Sequence, residues 1–164
     1  EEKGVDIVIR AVTELPGVKL LIVGSYMHNS KGSDAYQDML YELTKRIKDQ
    51  VIFTGYVDQA NMPILYSIAD VAALPSMWEE PAGLTMIEAI ACGIPVITTQ
   101  SGGIPEYVGD ESIVLKKDEH IVETMSVALK QILEGEKDGS MYKENGSFKY
   151  SAQNYMKRFM DRIK

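Results

Sequence analysis

At 164 residues, 45% hydrophobic and 25% charged, the chain has the size and composition of one globular domain with an ordinary core. A net charge of −7 argues against a nucleic-acid groove or a polybasic membrane surface. The longest apolar runs stop short of a membrane span, no signal-peptide pattern opens the chain, and a single cysteine, Cys92, leaves no internal disulfide, which makes the cytoplasm the expected compartment.

In chain order, Glu1-Glu2-Lys3-Gly4 leads into an amphipathic helix from Val5 to Glu14 or Leu15, ended by Pro16-Gly17. Val18 to Val23 reads as a strand closed by Gly24, and Ser25 to Ser33 as a polar loop. Asp34 is a plausible N-cap for a helix through about Lys48. Val51 to Phe53 is a short strand, followed by the loop Thr54-Gly55-Tyr56-Val57-Asp58; Asn61 with Pro63 starts a helix to about Ile68. Val71 to Leu74 is a buried strand closed by Pro75 and Ser76. Gly83 opens a helix from Leu84 to Cys92, with Thr85 in its first turn and Gly93 as terminator, and Ile94 to Thr99 returns as a strand. Gln100-Ser101-Gly102-Gly103 is a turn, Ile104 to Val108 a short helix, Ser112 to Leu115 the last strand and Glu119 to Leu133 a long helix. Gly135 to Gly146 reads as a polar, mobile connection, and Ser151 caps a final helix to Lys164.

Strands alternating with helices call for a doubly wound α/β fold with a parallel sheet, whose ligands bind beyond the C-terminal strand ends. Gly24, Gly55, Gly83 and Gly102-Gly103 all fall at such ends. Glu88 is the only charge between Pro81 and Gln100, and a charge alone in an apolar helix calls for a partner or a ligand. The N–H groups of Gly83, Leu84 and Thr85 offer donors and a partial positive charge to an anion. His28 and His120 lack companions at ligand spacing, so a zinc site is not expected.

The stretch E-P-A-G-L-T-M-I-E-A-I-A-C-G-I-P-V-I, with Glu80 and Glu88 separated by seven residues, resembles the signature of retaining glycosyltransferases of family 4, which have the GT-B fold. K-G-V-D, G-Y-V-D, A-D-V-A-A-L-P-S and S-G-G-I-P-E match in the same order over about the first two-thirds of the chain. The resemblance is to the C-terminal, donor-binding half, a Rossmann-like domain, with the acceptor-binding half absent. Residues 1–134 then form the nucleotide-sugar-binding domain without its usual first strand, and 135–164 a connection and terminal helix of the same domain. The implied activity is transfer of a sugar from a nucleotide diphosphate sugar to a carbohydrate or lipid-linked acceptor, as in polysaccharide biosynthesis.

By this resemblance Glu80 contacts the donor sugar as the catalytic residue, and Glu88 accepts from the ribose hydroxyls, a task suited to a carboxylate's two oxygens. Lys3 matches the diphosphate-binding lysine; the arginine usually found five residues earlier falls before residue 1. Gly55 and Val57 border the nucleobase or form a plain strand-end turn, while Gly102 and Gly103 lie near the donor phosphates or sugar. Ala82 stands where the family more often has an aromatic residue. Trp78 reads as packing at the cleft rim rather than a stacking platform, and Cys92 as inert core. No metal or other cofactor is required, and the missing half allows peripheral membrane association. A sugar-nucleotide epimerase or hydrolase half-domain and a non-catalytic nucleotide-binding module are the alternatives.

In the resembled fold the strand order is 3-2-1-4-5-6, which puts the absent strand between Val18–Val23 and Val71–Leu74. At a spacing of roughly 4.8 Å, an unfilled slot would leave a gap of about 10 Å and two rows of unpaired backbone groups. Either another segment or chain fills it, or the flanking strands close up and pair directly.

Overall fold

The computed structural model describes residues 2–24, 35–108 and 112–135, with the backbone of 143–144 and 147–148. The first helix, α1 (Val5–Thr13), buries Ile7, Val8, Ile9, Ala11 and Val12 along one face, with Asp6 in its first turn and Arg10 in its last, both favourable to the helix dipole. Strands β1 (Leu20–Val23) and β2 (Val51–Gly55) pair in parallel, joined by α2 (Ala35–Thr44) and a 3-10 turn at Lys45–Ile47. A 3-10 turn at Gln59–Asn61 leads into α3 (Met62–Ser67). Strands β3 (Ala72–Leu74), β4 (Val96–Thr99) and β5 (Ile113–Leu115) form a second parallel sheet with β4 central. Helix α4 (Leu84–Ala91) connects β3 to β4, and α5 (Ile121–Leu133) follows β5. Two short antiparallel strands, β6 (Lys143–Glu144) and β7 (Ser147–Phe148), lie in and just past the stretch read as a loop. The final helix expected from Ser151 lies outside the described residues, as does the Asp34 cap.

Two apolar clusters divide the core. One gathers the buried faces of α1 and α5 with Ile97 and Leu115, against which Leu20, Ile22, Val51 and Phe53 pack. The other joins Met86, Ala89 and Ile90 of α4 to Tyr66, Ala72, Ile94, Val96 and Ile104. Burying each valine, leucine, isoleucine or methionine side chain among these contributes about 1.5–3 kcal/mol.

Several boundaries differ from the sequence reading. Strand β2 runs on through Thr54 and Gly55, read as loop, because Val23 pairs with Gly55 and the Gly24 N–H bonds Gly55 O at 2.9 Å. Tertiary pairing overrides the poor strand propensity of glycine here. Ile94 and Pro95 stay outside β4: the Ile94 N–H turns back to Ala89 O at 3.4 Å, closing the helix beyond Gly93, and proline has no N–H to give a ladder.

The order of pairing within each half follows the expected topology. Direct pairing of the strands flanking the slot does not occur: among the described residues β1 pairs with β2 and β3 with β4, and no ladder joins the two sheets. The alternative, an added strand, concerns chain other than the residues described. Packing is what connects the halves, since α1 contacts α5 on one side and α2 on the other, and both sheets contribute side chains to one cluster.

Candidate functional site

The site is assembled where the first residues of the chain meet the C-terminal end of β3. Glu2 O accepts the N–H groups of Met77 at 2.7 Å and Trp78 at 3.2 Å. Gly4 has φ 62°, and a Cβ there would overlap Pro75 O, so only glycine allows this approach. The register places the Lys3 ammonium against Glu80 Oε1, which also accepts from Ser76 Oγ at 3.0 Å. Lys3 holds the Glu80 carboxyl below its ordinary value, helped by Ser76 and opposed by partial burial. Lys3 and Glu80, both assigned to the donor by resemblance, are thus partners across 77 residues.

Helix α4 starts beside this pair. Gly83, at φ 61°, is its N-cap, with no side-chain cap; Gly83 O takes the N–H groups of Met86 and Ile87 at 2.9 and 3.2 Å. The N–H groups of Leu84 and Thr85 come before Met86, the first donor of the helix, so they have no intrahelical acceptor, the arrangement that suits an anion. Both side chains are exposed, and Glu88 follows Leu84 by one turn on the same face. The Glu88 partner sought from the sequence is Gln59, whose Nε2 donates to Glu88 Oε1 at 3.2 Å, just past the Gly55–Val57 loop. Tyr66 donates to Thr85 O at 3.2 Å, and burial, then the nearby Glu88 charge, pushes its phenol up to about 12. Gly55 and Val57 are half-buried at the end of β2.

The Gly102-Gly103 turn is sewn onto the segment carrying Glu80. Ser101 Oγ donates to Trp78 O, the Gly102 N–H to Glu79 Oε2 at 2.6 Å and the Gly103 N–H to Glu80 O at 2.8 Å. Any Cβ at 102 or 103 would overlap Glu80 O or Pro81 O, respectively. Glu79 Oε1 also accepts from Lys117, which reaches in from beyond β5. Sequence reasoning passed over Glu79 and Lys117. The one available signal was that Glu79 precedes Glu80 in an E-E pair, and nothing linked it to a lysine 38 residues on.

One side reading needs correction. Cys92 is exposed, not core, because it is the C-cap of α4 and lies beyond the face that buries Met86, Ala89 and Ile90. Trp78 is 54% exposed. An apolar concavity between β5 and α5, lined by Ile113, Leu115, Val127 and Ala128, includes none of the candidate residues. Among the described residues no group of three or more His, Cys, Asp or Glu converges as a metal site, and no helix is long and apolar enough to cross a membrane.

Fold and site together define a Rossmann-like α/β domain whose candidate groups lie beyond the C-terminal ends of parallel strands. The pattern of the family "Glycosyl transferases group 1" matches residues 1–148, and the chain belongs to that family. It is 37% identical over 134 residues to D-inositol 3-phosphate glycosyltransferase of Mycobacteroides abscessus, covering 80% of this chain and 29% of that one. Spore coat protein SA of Bacillus subtilis is 33% identical over 110 residues, covering 65% and 29%. Among solved structures of GT-B glycosyltransferases, sucrose-phosphate synthase from Thermosynechococcus elongatus superposes with a TM-score of 0.74 at 28% identity, covering 99% of this chain and 42% of that one. Anabaena HepE in complex with UDP-glucose gives 0.75 at 23% identity, covering 99% and 46%. The chain therefore spans under a third of these curated relatives and under half of these structures.

Proposed function

We propose that the chain is the C-terminal, donor-binding domain of a retaining family 4 glycosyltransferase, acting with an acceptor-binding half to move a sugar from a nucleotide diphosphate sugar to a carbohydrate or lipid-linked acceptor. The observation that carries this reading is the meeting of Lys3, Glu80 and the opening of α4 at one strand end. The ammonium and the helix N–H groups offer positive charge to a diphosphate, and the carboxylate offers two acceptors to sugar hydroxyls. Without a donor, Lys3 and Glu80 neutralise each other; Lys3 is 67% exposed and can turn from Glu80 to a phosphate. Glu88, bonded to Gln59 just past the Gly55–Val57 loop, accepts from a ribose diol in this reading.

In this reading the bond from the anomeric carbon to the diphosphate breaks with its electron pair leaving on the phosphate oxygen. The acceptor hydroxyl oxygen bonds to the same face of the sugar as its O–H bond breaks, and the proton passes to the departing phosphate oxygen. Lys3 and the N–H groups of Leu84 and Thr85 stabilise the charge that develops on the departing diphosphate, so the step calls for no divalent metal. A cytoplasmic location, with any membrane contact made through the acceptor half, accords with the net charge of −7.

Calorimetric titration with nucleoside diphosphates, uridine diphosphate first, tests the reading. The chain should bind at least one of them and transfer no sugar alone. Glu88→Ala should weaken that binding roughly tenfold or more, the worth of a hydrogen bond to a charged group, and Glu80→Ala should weaken it less. No binding to any of them, transfer by the isolated chain, or a larger loss in Glu80→Ala would refute the assignment.

A further inference from the structure

We infer that Glu79 and Lys117 are a positioning pair, a latch that holds Glu80 and the Gly102-Gly103 turn in the arrangement that receives the donor sugar; the latch stands on its own geometry, and only its service to a sugar rests on the reading above. Both oxygens of Glu79 are used, Oε1 by the Lys117 ammonium and Oε2 by the Gly102 N–H at 2.6 Å. Lys117 Nζ also lies 3.2 Å from Ser101 Oγ, whose hydroxyl donates to Trp78 O. Residues 78, 79 and 80 are therefore tied in turn to 101, 102 and 103, the last through the Gly103 N–H on Glu80 O at 2.8 Å. The lysine side chain is only 21% exposed, so its stem is confined and its ammonium is aimed.

The Glu79 side chain is 68% exposed, as in an ordinary surface ion pair, so the pair adds little to stability. What sets it apart is that its two carboxylate oxygens are held separately, by Lys117 and by the Gly102 N–H of the facing turn. Glu79 and Glu80 are also neighbours held to opposite partners, Glu79 to Lys117 and Glu80 to Lys3 and Ser76. Fixing the first carboxylate fixes the backbone from which the second projects. The lowered proton affinity of Glu79, due first to Lys117 and then to Gly102, agrees with two donors on one carboxylate.

The decisive experiment follows the Glu80 carboxyl by carbon-detected NMR titration in the chain of residues 1–164 and in Glu79→Gln, Lys117→Met and Lys117→Arg. Glu79→Gln removes a neighbouring negative charge, which through space alone would lower the Glu80 midpoint. Release of the latch instead loosens Glu80 from Lys3 and raises the midpoint toward its ordinary value of 4.5, so the two causes have opposite signs. A rise in Glu79→Gln and Lys117→Met, with Lys117→Arg close to wild type and unfolding temperatures unchanged, is expected. A fall or no change in Glu79→Gln overturns the latch. In the second arm, calorimetry compares a nucleoside diphosphate with the same nucleoside diphosphate sugar. The change in affinity that the sugar brings should shrink about three- to tenfold in Glu79→Gln and Lys117→Met, the scale of one charge-assisted contact, and return in Lys117→Arg. A shifted titration with the sugar's contribution intact overturns the link to the sugar. If the wild-type chain binds no nucleotide, the donor reading fails and the titration alone decides the latch.

Discussion

Replacing Gly103 by alanine isolates the contact between the two site loops from every charge. Gly103 has φ −82°, which alanine adopts without strain, so only the added methyl matters. That methyl would overlap Pro81 O, well inside the 3.0 Å that real Cβ atoms keep, with the Pro81 carbonyl carbon at 3.2 Å behind it. The obstacle is backbone, so residues 80–81 must move by several tenths of an ångström. The Gly103 N–H bond to Glu80 O, 2.8 Å long, is lengthened or lost with that move. Overpacking costs about 1–3 kcal/mol and the hydrogen bond about 1 kcal/mol, together about 2–4 kcal/mol. For a domain of this size that lowers the unfolding midpoint by roughly 4–16 °C. Thermal unfolding followed by circular dichroism measures it, with Gly17→Ala as the control, since a Cβ at 17 meets nothing within 4 Å and only its φ of 92° resists. A Gly103→Ala midpoint within 1 °C of wild type would refute the close approach of the two loops.

The Lys3–Glu80 pair sets a pH dependence. Lys3 lowers the Glu80 proton affinity on folding, so its stabilisation is present above the ordinary value of 4.5 and is lost as pH falls through the lower folded value. Urea unfolding of wild type and Lys3→Met should differ by less than about 1 kcal/mol at pH 7, because Lys3 is mostly exposed, and the difference should close in acid. A gap that widens as pH falls contradicts the pairing. Ile9→Ala empties a fully buried site in the cluster reached by both sheets and should cost about 2–5 kcal/mol in one cooperative transition. Two separate transitions in urea would show that the sheets do not share a core.

Local chemistry was enough to place the alternation of strands and helices, the start of α4 at Gly83 and its stop at Gly93. Glycine conformation, proline and apolar periodicity act within a few residues, and the order of types along the chain carries them. The same short range made Glu88 and Gly83 stand out, a lone charge and a helix start within one segment, whereas Glu80 was singled out by the resemblance of its stretch to a family signature. Partnerships across the chain were another matter. Lys3 meets Glu80 because Gly4 nests on Pro75, and Lys117 meets Glu79 because β5 lies beside β4. Cys92, in the apolar run A-C-G, looks buried by composition, yet it lies beyond the covered face of α4. Strand ends such as Thr54-Gly55 were decided by a neighbour's free edge, and a neighbour is chosen only when the sheets and helices pack. Burial and pairing depend on what covers a residue, and that information resides in the assembled layers rather than in any one segment of the chain.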